Sequence, residues 1–248
     1  MGSQWDNFLQ NLGEWQGSFA TVDLQGQIVE ITPSILSLVR GEEEKLVHFR
    51  LQRFGDGYDR EPTREIKQEY RHLGKQVIFF NSGSFCKGAM QVAPFTPFGA
   101  EFGFVVGDRR HRLVTLYSEV GDFENLVLIR EFRVGSGAIE LEPMGEEHLL
   151  GGWLGKSITI TADWSEPVET PWEFECNGID DFSETSQERF MQLPDSGYIL
   201  IPSHISHREA FKIEAGWLPR PGRLERLIRR YDDSGAWISA TWISAKAT

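Results

Sequence analysis

The feature that most constrains this chain is an internal duplication. Leu12-Gly13-Glu14-Trp15-Gln16-Gly17 returns as Leu150-Gly151-Gly152-Trp153-Leu154-Gly155, so Leu-Gly-x-Trp-x-Gly occurs twice. A second block follows each copy. Phe98-Gly99-Ala100-Glu101-Phe102-Gly103-Phe104 leads to Arg112-Leu113-Val114-Thr115-Leu116-Tyr117 and then to Gly121-Asp122-Phe123. Phe211-Lys212-Ile213-Glu214-Ala215-Gly216-Trp217 leads to Arg226-Leu227-Ile228-Arg229-Arg230-Tyr231 and then to Gly235-Ala236-Trp237. Matched blocks in one order signal a structural repeat, which has to be recognised before any fold is assigned. The spacing within the second block drifts by one residue, as a loop tolerates. The chain therefore reads as two related units in tandem.

Each unit reads as β structure. Segments 15–22, 34–40, 46–54, 64–71, 76–81, 85–93, 100–106, 111–117 and 123–134 are separated by turn signals such as Gly55-Asp56-Gly57, Asn81-Ser82-Gly83 and Gly107-Asp108. Val47, Phe49 and Leu51 alternate with His48, Arg50 and Gln52, which gives one buried and one wet face. In the second unit Trp172, Phe174 and Cys176 share a face, and further strands are expected at 186–193, 197–202, 207–216, 224–231 and 236–245. Many short strands with short turns have one economical closed solution, an up-and-down antiparallel barrel. The expected fold is all-β: two tandem antiparallel β-barrels, one over 1–135 and one over 147–248, joined by a linker at 135–147. Trp5, Phe8, Leu9 and Leu12 have helical spacing and predict a short N-terminal helix closing the first barrel. Between its two motifs the second copy is shorter, and the charged, glycine-rich segment 41–65 is where extra material in the first is expected.

The balance of charge narrows the partners. A net charge of −12 argues against nonspecific binding to nucleic acid, since phosphate attraction needs clustered Lys and Arg. No apolar run approaches the ~20 residues of a membrane span, and the first residues lack a signal-peptide pattern, so a cytoplasmic location is expected. Cys86 and Cys176 fall in different repeats and form no disulfide framework. No nucleophile elbow or phosphate-binding loop is present, and His204 and His207 lack companions that would complete a metal site. No cofactor and no catalytic residue are expected, and the oligomeric state is left open.

Gly13-Glu14-Trp15 and Gly151-Gly152-Trp153, each at the start of a β unit behind a short helical or turn lead-in, resemble the Gly-x-Trp signature of the calycin superfamily. Taken whole, the chain resembles a cyanobacterial family built from two lipocalin-like domains. The segment Phe211 to Ser239 is distantly similar to S-type phycobiliprotein lyases, which hold a linear tetrapyrrole. The resemblance implies two lipocalin-like barrels in which Trp15 and Trp153 pack across the closed ends as structural residues. It also implies an Arg lid over each Trp, for which Arg112 and Arg226 hold the repeated late-strand position.

Glu101 and Glu214 each share a strand face with a Gly two residues on, so two arrangements are open. Either the carboxylate points into the barrel and meets an Arg or a ligand donor, or the flanking aromatics point inward and the Glu is solvated. The clusters Arg109-Arg110-His111-Arg112 and Arg220 to Arg230 read either as exposed edge protection or as an anion clamp. The leading expectation is binding of a small hydrophobic, carboxylate-bearing ligand, with a linear tetrapyrrole favoured by the resemblance. Trp217, Tyr231 and Trp237 would form aromatic walls, Arg226 and Arg229 the clamp, and Glu214 the polar contact, with Glu101, Arg112 and Tyr117 as their counterparts in the first barrel. The alternatives are an interaction scaffold whose barrels are filled by their own side chains and, third, lyase chemistry.

Overall fold

The computed structural model describes residues 2–55, 57–185 and 187–248. Asp56 of the expected Gly55-Asp56-Gly57 turn and Ser186 at the head of the expected strand 186–193 lie outside the described residues, as does Met1. Helix α1 (Gln4–Leu9) opens with a capping box: the Ser3 hydroxyl accepts from the Asp6 amide, and the Asp6 carboxylate accepts from the Ser3 amide. Nine strands follow, β1 (Gly13–Val22), β2 (Ile28–Arg40), β3 (Val47–Arg53), β4 (Arg64–Tyr70), β5 (Val77–Phe79), β6 (Phe85–Gly88), β7 (Phe98–Val106), β8 (Arg109–Tyr117) and β9 (Phe123–Arg133). They form one antiparallel sheet in the order β4-β3-β2-β1-β9-β8-β7-β6-β5. The second sheet contains β10 (Gly151–Thr161), β11 (Val168–Cys176), β12 (Glu188–Leu193), β13 (Gly197–Pro202), β14 (Phe211–Arg220), β15 (Arg223–Tyr231) and β16 (Trp237–Ala247), in the order β11-β10-β16-β15-β14-β13-β12. The fold is all-β, two barrel-like sheets in tandem.

Each sheet rolls around its own apolar filling. Trp15, Leu36, Leu38, Val47, Leu51, Phe79 and Phe85 meet Trp5 and Phe8 of α1 inside the first. Trp153, Phe182, Tyr198, Leu200, Leu224 and Ala245 meet inside the second. Burying one such side chain contributes roughly 1.5–3 kcal/mol. The barrels are rolled but not sewn shut: among the described residues no ladder joins edge strands β4 and β5, or β11 and β12.

The duplicated motif does the same work in both copies. Trp15 Nε1 donates to the Asn11 carbonyl at 3.0 Å, and Trp153 Nε1 donates to the Leu149 carbonyl at 2.8 Å. A Cβ on Gly17 would lie 1.9 Å from the Arg130 carbonyl oxygen, and one on Gly155 would lie 2.2 Å from that of Ser244. Only glycine lets the neighbouring strand come this close.

Matching the repeats strand by strand places the extra material of the first copy in the β3–β4 hairpin, which overlaps the expected 41–65. The largest apolar cluster lies between the barrels, built from outward faces of both sheets, including Phe98, Phe102, Phe104 and Leu113 of one and Ile213, Trp217, Leu227 and Trp237 of the other. Equivalent residues meet here: Phe98 and Phe211 at 6.0 Å between ring centroids, Phe104 and Trp217 at 6.2 Å. The hydrogen bonds are reciprocal too. Phe123 N donates to Ser203 O at 3.0 Å and Trp237 N to Met90 O at 2.9 Å. Tyr117 Oη donates to Pro202 O at 2.9 Å and Tyr231 Oη to Ala89 O at 2.9 Å. The contact is isologous, as between the subunits of a two-fold dimer. It also explains a shifted boundary. The expected strand 85–93 stops at Gly88, because 89–92 leave the sheet to bridge to the opposite barrel, as 203–205 do after β13; the expected 207–216 starts at Phe211. Part of the expected linker is likewise docked: Leu141 N donates to Asp195 Oδ1 at 3.2 Å and Met144 N to Ser196 Oγ at 2.9 Å.

Candidate functional site

Both motif glutamates point into their barrels, and the flanking aromatics, turned outward, are buried against the other barrel. That resolves the two arrangements left open by the sequence in favour of the inward carboxylate. The register explains the neighbouring glycine. Gly103 stands between Phe85 and Arg112, and Gly216 between Tyr198 and Arg226. A Cβ on Gly103 would lie 2.2 Å from the Phe85 ring and one on Gly216 would lie 2.0 Å from the Tyr198 ring, so each aromatic lies across its glycine. Arg112 Nη1 donates to Glu101 Oε1 at 2.9 Å, and Arg226 Nε donates to Glu214 Oε1 at 2.7 Å. These arginines are buried, not solvated edge protection.

The two interiors then diverge. In the first, Arg110 lies opposite Glu131 on β8 and β9; at the matching positions of the second, Leu224 lies opposite Ala245. Glu131 is fully buried and accepts two hydrogen bonds from Arg112, Nε at 3.0 Å and Nη2 at 2.9 Å. Arg110 reaches it only at 3.4 Å, and Arg110 Nε and Nη1 have no hydrogen-bond partner although the residue is 3% exposed. Burial pushes the Arg110 guanidinium down to about 10 against the pull of Glu131. Burial also pushes the Glu131 carboxyl up, but the Arg112 and Arg110 charges outweigh it and hold it below the usual range.

Arg110 also lines a cavity of about 360 Å³. Glu101 and Arg112 share the polar wall from β7 and β8, and Leu36, Leu38, Phe49, Ile66, Val77 and Phe79 make an apolar wall from β2 to β5. Edge strands β4 and β5 both line it, so the cavity lies at the seam where the sheet does not close. Phe49, Ile66, Gln68 and Tyr70 come from the β3–β4 hairpin, which the second repeat lacks.

The seam of the second barrel is plugged instead. A short 3₁₀ turn, Ile179–Phe182, places the Phe182 ring 5.1 Å from Phe174 of β11 and 6.1 Å from Phe190 of β12. Arg226 lies over this aromatic stack, 4.9 Å from the Phe182 centroid. Tyr198 Oη donates to Glu214 at 3.0 Å, and Lys212 Nζ lies 3.7 Å from the other Glu214 oxygen. Charge in this interior is matched from within.

The expected site residues therefore separate into three places. Glu101 and Arg112 are on the cavity wall, and Glu214 and Arg226 are in the filled interior. Trp217, Tyr231, Trp237, Arg229 and Tyr117 face the interface between the barrels and build no wall inside either. Arg226 and Arg229 are three apart on one strand and point to opposite faces, so they cannot clamp one ligand. Arg229 is spent on the interface: Nε donates to Tyr231 Oη at 3.1 Å and Nη2 to the Ala89 carbonyl at 3.4 Å. The expected lids are corrected as well. Trp15 is covered by Arg133 at 4.3 Å and Arg110 at 5.1 Å, while Arg112 sits 5.8 Å from Phe19 and Arg226 lies over Phe182, not Trp153. Of the residues that matter here, Arg110 was visible only as a member of a basic cluster. Glu131 belongs to no repeated motif, and only comparison with Ala245 through the repeat exposes it.

The N-terminal family model of DUF3598, a domain of unknown function, matches residues 1–136. The crystal structure of a DUF3598-family protein of unknown function from Nostoc punctiforme covers 100% of both chains at 30% identity, with a TM-score of 0.89. The chain belongs to the DUF3598 family. Residues 177–248 of this DUF3598 protein also match the C-terminal domain model of biogenesis factor required for ATP synthase 1. An S-type phycobiliprotein lyase from Guillardia theta aligns with 97% of the DUF3598 chain and 90% of its own at 9% identity, with a TM-score of 0.20. No curated protein matches the DUF3598 chain significantly. Among its described residues no helix is long and apolar enough to cross a membrane.

Proposed function

We propose that the first barrel is a binding site for a small apolar molecule bearing a carboxylate, and that the protein acts as its carrier or chaperone without transforming it. The single observation that carries this is Arg110: a buried guanidinium on the wall of a cavity, with Nε and Nη1 left without a hydrogen-bond partner, at a position where the other copy of the repeat has leucine. A buried cation left without partners is costly, and an incoming carboxylate matches the guanidinium fork. The apolar walls would take the body of the ligand, as in most small-molecule sites. Arg112 and Glu101 orient the polar wall. The expected site in the second barrel moves to the first, because the second interior is occupied by Phe182 and its neighbours. Chain carboxylic acids and linear tetrapyrroles both carry a carboxylate on an apolar body. The test is to purify the protein natively, release what is bound and identify it by mass spectrometry, alongside Arg110→Leu. An apolar acid recovered from the parent and absent from the variant supports the reading. Equal recovery from both would overturn it.

The filled second barrel favours a separate role for that half as a protein-contact scaffold. Its match to the C-terminal domain of an ATP synthase biogenesis factor supports this. Cross-linking from the exposed Leu154 and half-exposed Lys156 positions of β10 to a subunit of an assembling complex is expected, and its absence in cells of the source organism would remove the reading.

A further inference from the structure

The cavity carries enough information to restrict the ligand further, on the premise that the first barrel binds an apolar acid. We infer that the site selects a monocarboxylic acid with a single flexible or flat apolar body of roughly a dozen carbons, over dicarboxylates and whole linear tetrapyrroles.

Charge sets the first restriction. The cavity wall and the residue directly behind it carry three cations, Arg110, Arg112 and Lys87, against two carboxylates, Glu101 and Glu131. Arg112 is satisfied by both glutamates, at 2.9 Å each. One positive charge is left over, and Arg110, on the cavity wall, is the buried cation without a hydrogen-bonded carboxylate. One carboxylate neutralises the site. A second would have to lie beside Glu101 or against the apolar wall of β2 to β5, where an unpaired anion is costly.

Volume sets the second. Interiors pack at roughly three-quarters of the available space, so about 360 Å³ accommodates on the order of 15 non-hydrogen atoms. A dodecanoate fits this. A linear tetrapyrrole has about three times as many atoms and two propionates, so most of it would stand outside the wall formed by Phe49, Ile66 and Tyr70. Those residues belong to the inserted β3–β4 hairpin, so the insertion closes the cavity down as well as creating it.

The experiment is a calorimetric titration of the full chain, below micelle concentrations, with dodecanoate, dodecanol, dodecanedioate and phycocyanobilin. Dodecanoate is expected to bind one to one and at least tenfold more tightly than each of the other three. Arg110→Leu should bring dodecanoate and dodecanol to equal affinity, while Arg110→Lys retains part of the preference. Ile66→Trp, which fills the cavity from an edge strand and leaves Arg110 intact, should abolish binding, so the inference survives a failure of the Arg110 variants to fold. Binding of phycocyanobilin or dodecanedioate as tight as that of dodecanoate would overturn the restriction and leave the carrier reading standing. No binding of any of the four would overturn the carrier reading itself.

Discussion

Arg110 and Glu131 oppose each other across β8 and β9 in the first barrel, and the second barrel repeats that cross-strand pair as Leu224 opposite Ala245. One protein thus contains both versions of the same site, ionic and apolar. Buried ion pairs often add nothing to stability compared with apolar pairs of similar volume, whereas stranding one partner costs about 3–5 kcal/mol. Glu131→Ala alone leaves Arg110 and Arg112 with Glu101 as their remaining carboxylate and is expected to cost about that much. Adding Arg110→Leu recreates the arrangement seen around Arg226 and should recover most of the loss. Urea denaturation of the two single variants and the double variant measures the coupling. Additive losses would show that the pair is not the energetic unit described here.

The glycines of the duplicated motif make a second expectation. A methyl group on Gly17 would run into the Arg130 backbone, which cannot swing aside, whereas one on Gly99 meets its nearest atom at 3.3 Å. Gly17→Ala is therefore expected to cost at least about 2 kcal/mol, and Gly99→Ala well under half of that, since overpacking against fixed atoms costs ~1–3 kcal/mol. Thermal denaturation of the two variants side by side decides it. Comparable losses would mean that the strand spacing relaxes.

Much of the architecture was legible because the repeat fixes it. Gly-x-Trp, Phe-x-x-Glu-x-Gly and the late Arg recur in the same order, and each turns out to have one geometric job, from the Trp–carbonyl hydrogen bond to the aromatic lying across Gly103 or Gly216. The location of the extra hairpin was legible from the missing length in the second copy. The interface was not. A strand alternating Phe102 and Phe104 with Glu101 and Gly103 has one face for the barrel and one for whatever lies outside, and period-two alternation cannot say that the outside is another core. That ambiguity misplaced Trp217, Tyr231 and Trp237, which pack between the barrels. The cavity was harder still, since it depends on whether a phenylalanine from a short turn fills the seam, as Phe182 does, or nothing does.

The reciprocal bonds between the barrels predict how the chain unfolds. The inter-barrel cluster is larger than either interior, and the bridging segments 89–92 and 203–205 make backbone hydrogen bonds to the partner barrel. Unfolding of the parent should be a single cooperative transition. Phe98→Ala removes a ring that contacts Tyr117, Phe211 and Tyr231, and a loss of about 3–5 kcal/mol is typical for such a truncation. Because the loss falls on the contact between barrels, two resolved transitions should appear in calorimetry. A parent protein that already melts in two steps would contradict this coupling.

His111 makes the same interface sensitive to acid. Its ring is fully buried, stacks on Trp217 at 5.3 Å and faces Asp195 at 3.4 Å, with Arg109 and Arg130 nearby. Burial holds the imidazole below its ordinary pKa, outweighing the Asp195 carboxylate, and the two arginines add to the effect. The unfolded chain then takes up a proton near pH 6.5, roughly the ordinary value for histidine, while the folded chain does so only at lower pH. The unfolded state binds more protons in that window, so stability falls as pH drops below about 6.5 and is unaffected by this group above it. Replacing His111 with Gln keeps a planar polar side chain that does not titrate. Urea midpoints measured between pH 7.5 and pH 5 should decline for the parent and stay flatter for His111→Gln, with Trp217 emission reporting the change at the interface. Parallel declines in the two proteins would assign the acid sensitivity to the carboxylates instead.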